Sequence, residues 1–226
     1  MASPLQNKGK RLRYLLFHKP FGVLCQFTDS AQAGDGLNTN TEKANLPSPQ
    51  PHAPRPCLKD FISVPDIYAC GRLDWDSEGL LLLTNDGALI HALTAPISKL
   101  PKTYWVQVEG IPSSESLSLL EKGVLVEGKK TLPAKAKFYQ EGNAIPERTV
   151  PIRFRKNIPT SWISLSIVEG RNRQVRKMTA AIGHPTLRLI RSSIGPFNLE
   201  GLELGKWKEI SSMEIQQKLS TFKKSF

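Results

Sequence analysis

Gly71-Arg72-Leu73-Asp74-Trp75-Asp76-Ser77-Glu78-Gly79-Leu80-Leu81-Leu82-Leu83-Thr84-Asn85-Asp86-Gly87 is the stretch that decides how the chain is read. Ile67-Tyr68-Ala69-Cys70 before it and Leu80–Leu83 within it are short apolar runs bounded by glycine, and they read as buried strands. Between them lies a loop with two glycines, one arginine and three acidic residues. Buried strands hold such a loop rigid, and a rigid loop can aim a reacting group. Asp74 is the candidate for that group.

The three acids admit other readings. Asp74-x-Asp76-x-Glu78-Gly79 resembles the start of a calcium loop, but its twelfth position is Asn85 and its flanks read as strands rather than helices. A glycosidase needs two carboxylates facing each other across a sugar, which close neighbours on one loop rarely do. Local pairing of Arg72 with the acids is the plain alternative.

Working outward, a chain of 226 residues with 39% hydrophobic content buries a sizeable core in one or two domains. A formal charge of +11 favours a polyanionic partner, a nucleic acid first. Cys25, Cys57 and Cys70 have no C-x-x-C spacing, so reduced thiols in a cytosol-like compartment are expected. His18, His52, His91 and His184 are too scattered to indicate a metal site. Tyr14-Leu15-Leu16-Phe17 is too short for a signal-peptide core or a membrane span, which predicts a soluble protein with no membrane partner.

Residues 1–10 read as a basic tail. Arg13–His18 predicts a strand, Lys19-Pro20-Phe21-Gly22 a turn with a solvated lysine, and Val23–Phe27 a second strand. Residues 31–56 hold five prolines and only two large apolar side chains, so a flexible insertion is expected. Asn85-Asp86-Gly87 can cap a helix through Leu89, Ile90 and Leu93. Lys102–Gly110 alternates as a strand, and Pro112–Glu115 opens a helix that Gly123 closes. Short strands are expected near 124–126 and 134–138. A basic loop with Arg148, Arg153, Arg155 and Lys156 follows, then a strand through Ile163, Leu165 and Ile167.

The segment from Glu169 to Met178 reads as the start of a helix carrying Val175, Met178, Thr179 and Ile182 on one face, stopped at Gly183. No acid occurs from Gly170 to Leu199, whereas Arg171, Arg173, Arg176, Lys177, Arg188 and Arg191 do. Like charges left unpaired repel, and a phosphate backbone relieves that repulsion. Nucleic-acid contact is the expectation there.

Four motifs together resemble the RNA pseudouridine synthases, in the branch that modifies ribosomal RNA. They are the quoted loop from Gly71 to Gly87, Lys19-Pro20-x-Gly22, Lys102-x-Tyr104-x-Val106-x-Val108-x-Gly110, and Glu169-Gly170-Arg171-Asn172-Arg173-Gln174-Val175-Arg176-Lys177-Met178. The resemblance runs from about Leu12 to Glu209 apart from the insertion, and Trp75 departs from the pattern. It implies an α+β fold, with a mixed, mainly antiparallel sheet, flanking helices and a central active-site cleft. It also implies a catalytic domain over 11–210, leaving 211–226 as a C-terminal tail and no room for an N-terminal S4 RNA-binding domain.

Carried over position by position, Asp74 matches the nucleophile, Tyr104 the active-site tyrosine and Arg176 the basic residue paired with the aspartate. Arg176 would orient Asp74 and favour its anion, and Tyr104 would stack on the uracil. Arg72, Lys102, Arg171, Arg173, Lys177, Arg188 and Arg191 are the RNA-binding candidates, holding an RNA from which the uridine is flipped out. Isomerisation exchanges no electrons and consumes no phosphate energy, so no cofactor or metal is expected. The implied substrate is large-subunit ribosomal RNA, and the implied protein is a cytoplasmic monomer with no obligatory protein partner. A catalytically silent assembly factor and a nucleic-acid N-glycosylase are the competing functions.

Overall fold

The computed structural model describes residues 11–28, 55–95, 100–153 and 155–224. The tail at 1–10 and most of the insertion expected at 31–56 lie outside them. In chain order the elements are β1 (Tyr14–Lys19), β2 (Tyr68–Ala69), β3 (Glu78–Thr84), α1 (Gly87–Thr94), β4 (Lys102–Glu109) and α2 (Ser114–Lys122). There follow β5 (Leu125–Val126), β6 (Lys129–Lys130), β7 (Lys135–Phe138), β8 (Thr160–Ile167) and α3 (Gln174–Ala181). The chain ends with β9 (Thr186–Ile194), β10 (Phe197–Asn198), β11 (Trp207–Ile210) and α4 (Ser212–Lys224).

The architecture is α+β. Among the described residues a nine-stranded sheet runs β11-β1-β3-β9-β4-β8-β7, with β2 added beside β3 and β10 beside β9. Its junctions are antiparallel except the one between β3 and β9, where Glu78 and Gly79 stand beside Ile190 and Arg191. A strand covered on both faces needs apolar residues at successive positions rather than alternate ones. Leu80–Leu83 meet that need: all four are fully buried. Leu80 and Leu82 join a core with Leu16, Ile190 and Phe197, and Leu81 and Leu83 join another with Leu15, Phe17 and Leu58. A third core, around Val106, Leu120, Leu165 and Met178, lies under α2 and α3. At Gly79 the backbones of β3 and β9 approach closely. A Cβ there would lie 2.3 Å from the Arg191 carbonyl oxygen, and the residue sits at φ +111°, so glycine is required.

The rest of the quoted stretch ties β3 to its surroundings. Thr84 donates its hydroxyl to the Arg13 carbonyl (2.6 Å), and Asn85 Oδ1 accepts the Arg13 N–H (2.8 Å). Asp86 caps α1 by accepting the Leu89 N–H (3.0 Å) and takes the Tyr14 hydroxyl on its other oxygen (3.0 Å).

Four expectations are corrected. Val23–Phe27 is not a strand of the sheet: Leu24 makes an isolated bridge to Cys57, and its N–H donates to the Pro56 carbonyl, because the returning chain rather than a sheet edge lies beside it. Lys19 is not solvated. It is fully buried, with its ammonium donating to the Pro20 and Val23 carbonyls at 3.0 and 2.7 Å, and burial pulls its pKa down to about 8. α3 starts at Gln174 rather than near Glu169, since Arg173 takes a left-handed conformation (φ +49°). The C-terminal stretch expected as a tail is not one over its described residues, 211–224, for α4 buries Ile215 and packs Leu219 and Phe222 on the first core. Among the described residues no helix is long and apolar enough to cross a membrane.

Candidate active site

The loop between β2 and β3 is fixed from both ends. Cys70 N–H donates to the Leu82 carbonyl (2.7 Å), and Ser77 N–H donates to the Asp74 carbonyl (3.1 Å), closing a turn over the buried Leu73. Gly22 N–H donates to the Trp75 carbonyl (2.9 Å), so the Lys19–Gly22 turn braces the same loop. Asp74 stands partly exposed on this frame, in the wall of a cleft of about 680 Å³. The cleft brings together most of what the motifs single out: Arg72, Asp74, Lys102, Tyr104, Arg173 and Arg191 all line it. Tyr104 enters from β4, where it pairs with Leu165 of β8 and Arg191 of β9.

The charges are arranged differently from the expectation. Asp74 Oδ2 lies 3.3 Å from the Nη1 of Arg173, not against Arg176. Arg173 also grips Asp76 with two hydrogen bonds of 3.1 and 2.8 Å. Arg176, one turn further along α3, donates to the Asp76 carbonyl (2.8 Å) and lies 3.4 Å from its carboxylate. The start of the helix explains the shift, because the left-handed backbone at Arg173 swings that side chain over the loop. Burial works to raise the Asp76 carboxyl, but the Arg173 hydrogen bond and the charges of Arg176 and Arg173 hold it below the usual carboxylate range. Burial pulls Arg176 below the ordinary arginine value. Glu78 turns away to Arg188, so the three acids of the loop do not converge on one point and form neither a calcium cage nor a facing pair.

The RNA-binding candidates divide. Arg72 is exposed at the rim, and Arg173 and Lys177 reach the surface, Lys177 beside Glu127 at 2.7 Å. Lys102 and Arg191 form part of the cleft lining, and burial together with Arg191 lowers the Lys102 pKa. Arg191 Nε donates to the Leu80 carbonyl (2.8 Å), and its Nη2 is buried without a partner among the described residues. Arg188 does not fit the expectation: it is buried and makes a two-pronged ion pair with Glu78, each bond 2.8 Å. Arg171 is committed as well, donating to the Lys129 and Lys130 carbonyls and pairing with Glu169 at 3.2 Å.

Two positions that sequence reasoning did not assign shape the site. Asp76 gathers both arginines, and Gln174 joins Glu169 to the Arg171 N–H, which it accepts at 2.9 Å. The signal for Asp76 was its place two residues from Asp74. Gln174 gave none beyond lying in the motif.

A sequence profile of the family described as RNA pseudouridylate synthase matches residues 13–181. The chain is 50% identical over 206 residues to the ribosomal large subunit pseudouridine synthase E of Vibrio parahaemolyticus, covering 91% of this chain and 75% of that one. It is 47% identical over 188 residues to the protein of the same name from Xanthomonas axonopodis pv. citri, covering 83% and 88%. A solved pseudouridylate synthase structure superposes with a TM-score of 0.68 at 25% identity, over 93% of this chain and 75% of that one. A cleft built around an aspartate loop, a tyrosine strand and an arginine helix, on this sheet and with these relatives, places the chain in the RNA pseudouridine synthase family.

Proposed function

We propose that the chain isomerises a uridine of large-subunit ribosomal RNA to pseudouridine, with Asp74 as the nucleophile. The observation that carries the assignment is Asp74 itself, held on a braced loop, 3.3 Å from a guanidinium and in one cleft with Tyr104. The carboxylate attacks the ribosyl-uracil, and Arg173 orients it. Arg176 braces the loop through Asp76. Tyr104 stacks on the uracil while N1–C1′ breaks, the base turns and C5 joins C1′. N1 gains a proton and C5 loses one, so the product has the mass of the substrate.

The choice of large-subunit RNA follows the relatives. Proteins named large-subunit synthase E stand at 45 to 50% identity, whereas a small-subunit synthase A of Vibrio cholerae stands at 30%. In this reading the chain works as a cytoplasmic monomer. Incubation with unmodified large-subunit rRNA, followed by carbodiimide-dependent primer-extension mapping, should give a stop at a single uridine. Asp74→Asn should abolish the stop while holding RNA affinity within a few-fold, because an amide has the same shape but cannot attack. Release of free uracil would identify a glycosylase instead. RNA binding without either product would identify a silent assembly factor.

A further inference from the structure

A second cleft, of about 650 Å³, lies beyond the Arg173–Asp76 pair, where β4 ends and β9 begins. Its lining carries Arg148, Arg153, Arg155, Arg173 and Arg176. Among the described residues only two carboxylates, Asp76 and Glu109, stand with them. Asp76 is shared by Arg173 and Arg176, and Glu109 meets Arg155 at 3.3 Å. Among the described residues neither Arg148 nor Arg153 has a carboxylate within ion-pair distance. A face that is merely solvated scatters both signs of charge, whereas this one concentrates cations in a concavity.

Arg148 is also held in place. It donates to the Val150 and Pro151 carbonyls and lies over the Phe21 ring, 4.0 Å from its centroid. Phe21 packs in turn against Trp75, with ring centroids 5.2 Å apart, and Trp75 is 45% exposed although it directly follows Asp74. A row of guanidiniums beside an exposed aromatic face is what a single-stranded nucleic acid uses, phosphates on the cations and a base on the ring. Arg173 lines both clefts, so a strand leaving a uridine at Asp74 enters the second cleft directly.

We propose that this second cleft binds the single-stranded RNA flanking the target uridine, with phosphates on Arg148 and Arg153 and a neighbouring base on Trp75. The proposal rests on the reading of the Asp74 cleft as the uridine site. The test uses the full chain with two probes, a 15-nucleotide single-stranded RNA carrying one central uridine and the trinucleotide at its centre. Arg153→Gln should weaken the longer RNA and lower its slope of log affinity against log salt by about 0.7, one phosphate contact on a single strand. The trinucleotide should bind it as it binds wild type. Arg153→Lys should restore the slope. Lys208→Gln, on the edge strand β11 and outside the lining of either cleft, removes the same charge and should change neither probe. Trp75→Ala should weaken the longer RNA roughly tenfold with its slope unchanged, since stacking releases no counterions.

Wild-type affinity and slope in Arg153→Gln would overturn the proposal, as would an equal loss on both probes, or tighter binding of poly-glutamate than of RNA. Binding is read separately from chemistry. Pseudouridine formation together with an indifferent Arg153→Gln sinks the second cleft alone, and no pseudouridine on any rRNA sinks the reading of Asp74.

Discussion

Arg173 reaches Asp74 at 3.3 Å, three residues ahead of the arginine that the family pattern pairs with the aspartate. The same guanidinium holds Asp76 at 2.8 Å, so it positions the loop as well as the carboxylate. Misplacing a reacting group by about 1 Å can cost on the order of 100-fold in rate. Arg173→Met should therefore lower the single-turnover rate at saturating RNA by about that factor. Arg176→Met, which removes a contact to the Asp76 backbone, should cost less. The reverse order would show that Arg176 takes Asp74 when RNA is bound.

Asp76 gives the fold an acid-sensitive contribution. Its folded pKa lies below the ordinary 3.8, so its ionised form favours the native state. That stability is fully present above the unfolded value and is lost as pH falls through the depressed folded one. Wild type should melt above Asp76→Asn at pH 6, and the gap should close as the pH falls through the depressed folded value. A gap that is constant with pH would mean that the two arginines do not perturb Asp76.

The parts of the molecule that were legible in sequence are those whose partners are local or whose burial is complete. Leu80–Leu83 announce a doubly covered strand because no position among them can be polar. The Asp74 loop stands out because its acids interrupt two apolar runs. Ion pairing was illegible for the opposite reason. Arg188 lies in a run without acids, yet its carboxylate, Glu78, comes from 110 residues away across the β3–β9 junction. Arg171 likewise spends its donors on carbonyls 41 and 42 residues distant. A run without acids is therefore not a run without partners. α4 was hidden differently: Ile215, Leu219 and Phe222 keep helical spacing, but lysines and serines around them give the segment the look of a tail.

Gly79→Ala tests the close approach of β3 and β9. An added methyl would meet the Arg191 backbone, which cannot step aside without parting the two strands. Strain of this kind, with φ positive as well, should cost about 3 kcal/mol or more, a fall of roughly 6 to 12 °C in Tm for a chain of this length. A thermal melt within 2 °C of wild type would show that the strands do not meet there.

Arg188 separates a structural cation from an RNA-binding one. Glu78 is 1% exposed and Arg188 8%, so both charges are out of water and each depends on the other. Arg188→Met strands a buried carboxylate, which should cost about 3 to 5 kcal/mol, and it frees the Pro146 carbonyl that Arg188 also serves. Glu78→Met combined with Arg188→Met removes both charges and should recover most of that stability, because the apolar pair has no desolvation penalty to offset. The double variant then isolates the RNA question. If Arg188 is only a strut between β3 and β9, the folded double variant should bind single-stranded RNA with the wild-type salt slope. A slope lower by about 0.7 would mean that Arg188 leaves Glu78 to meet a phosphate when RNA arrives.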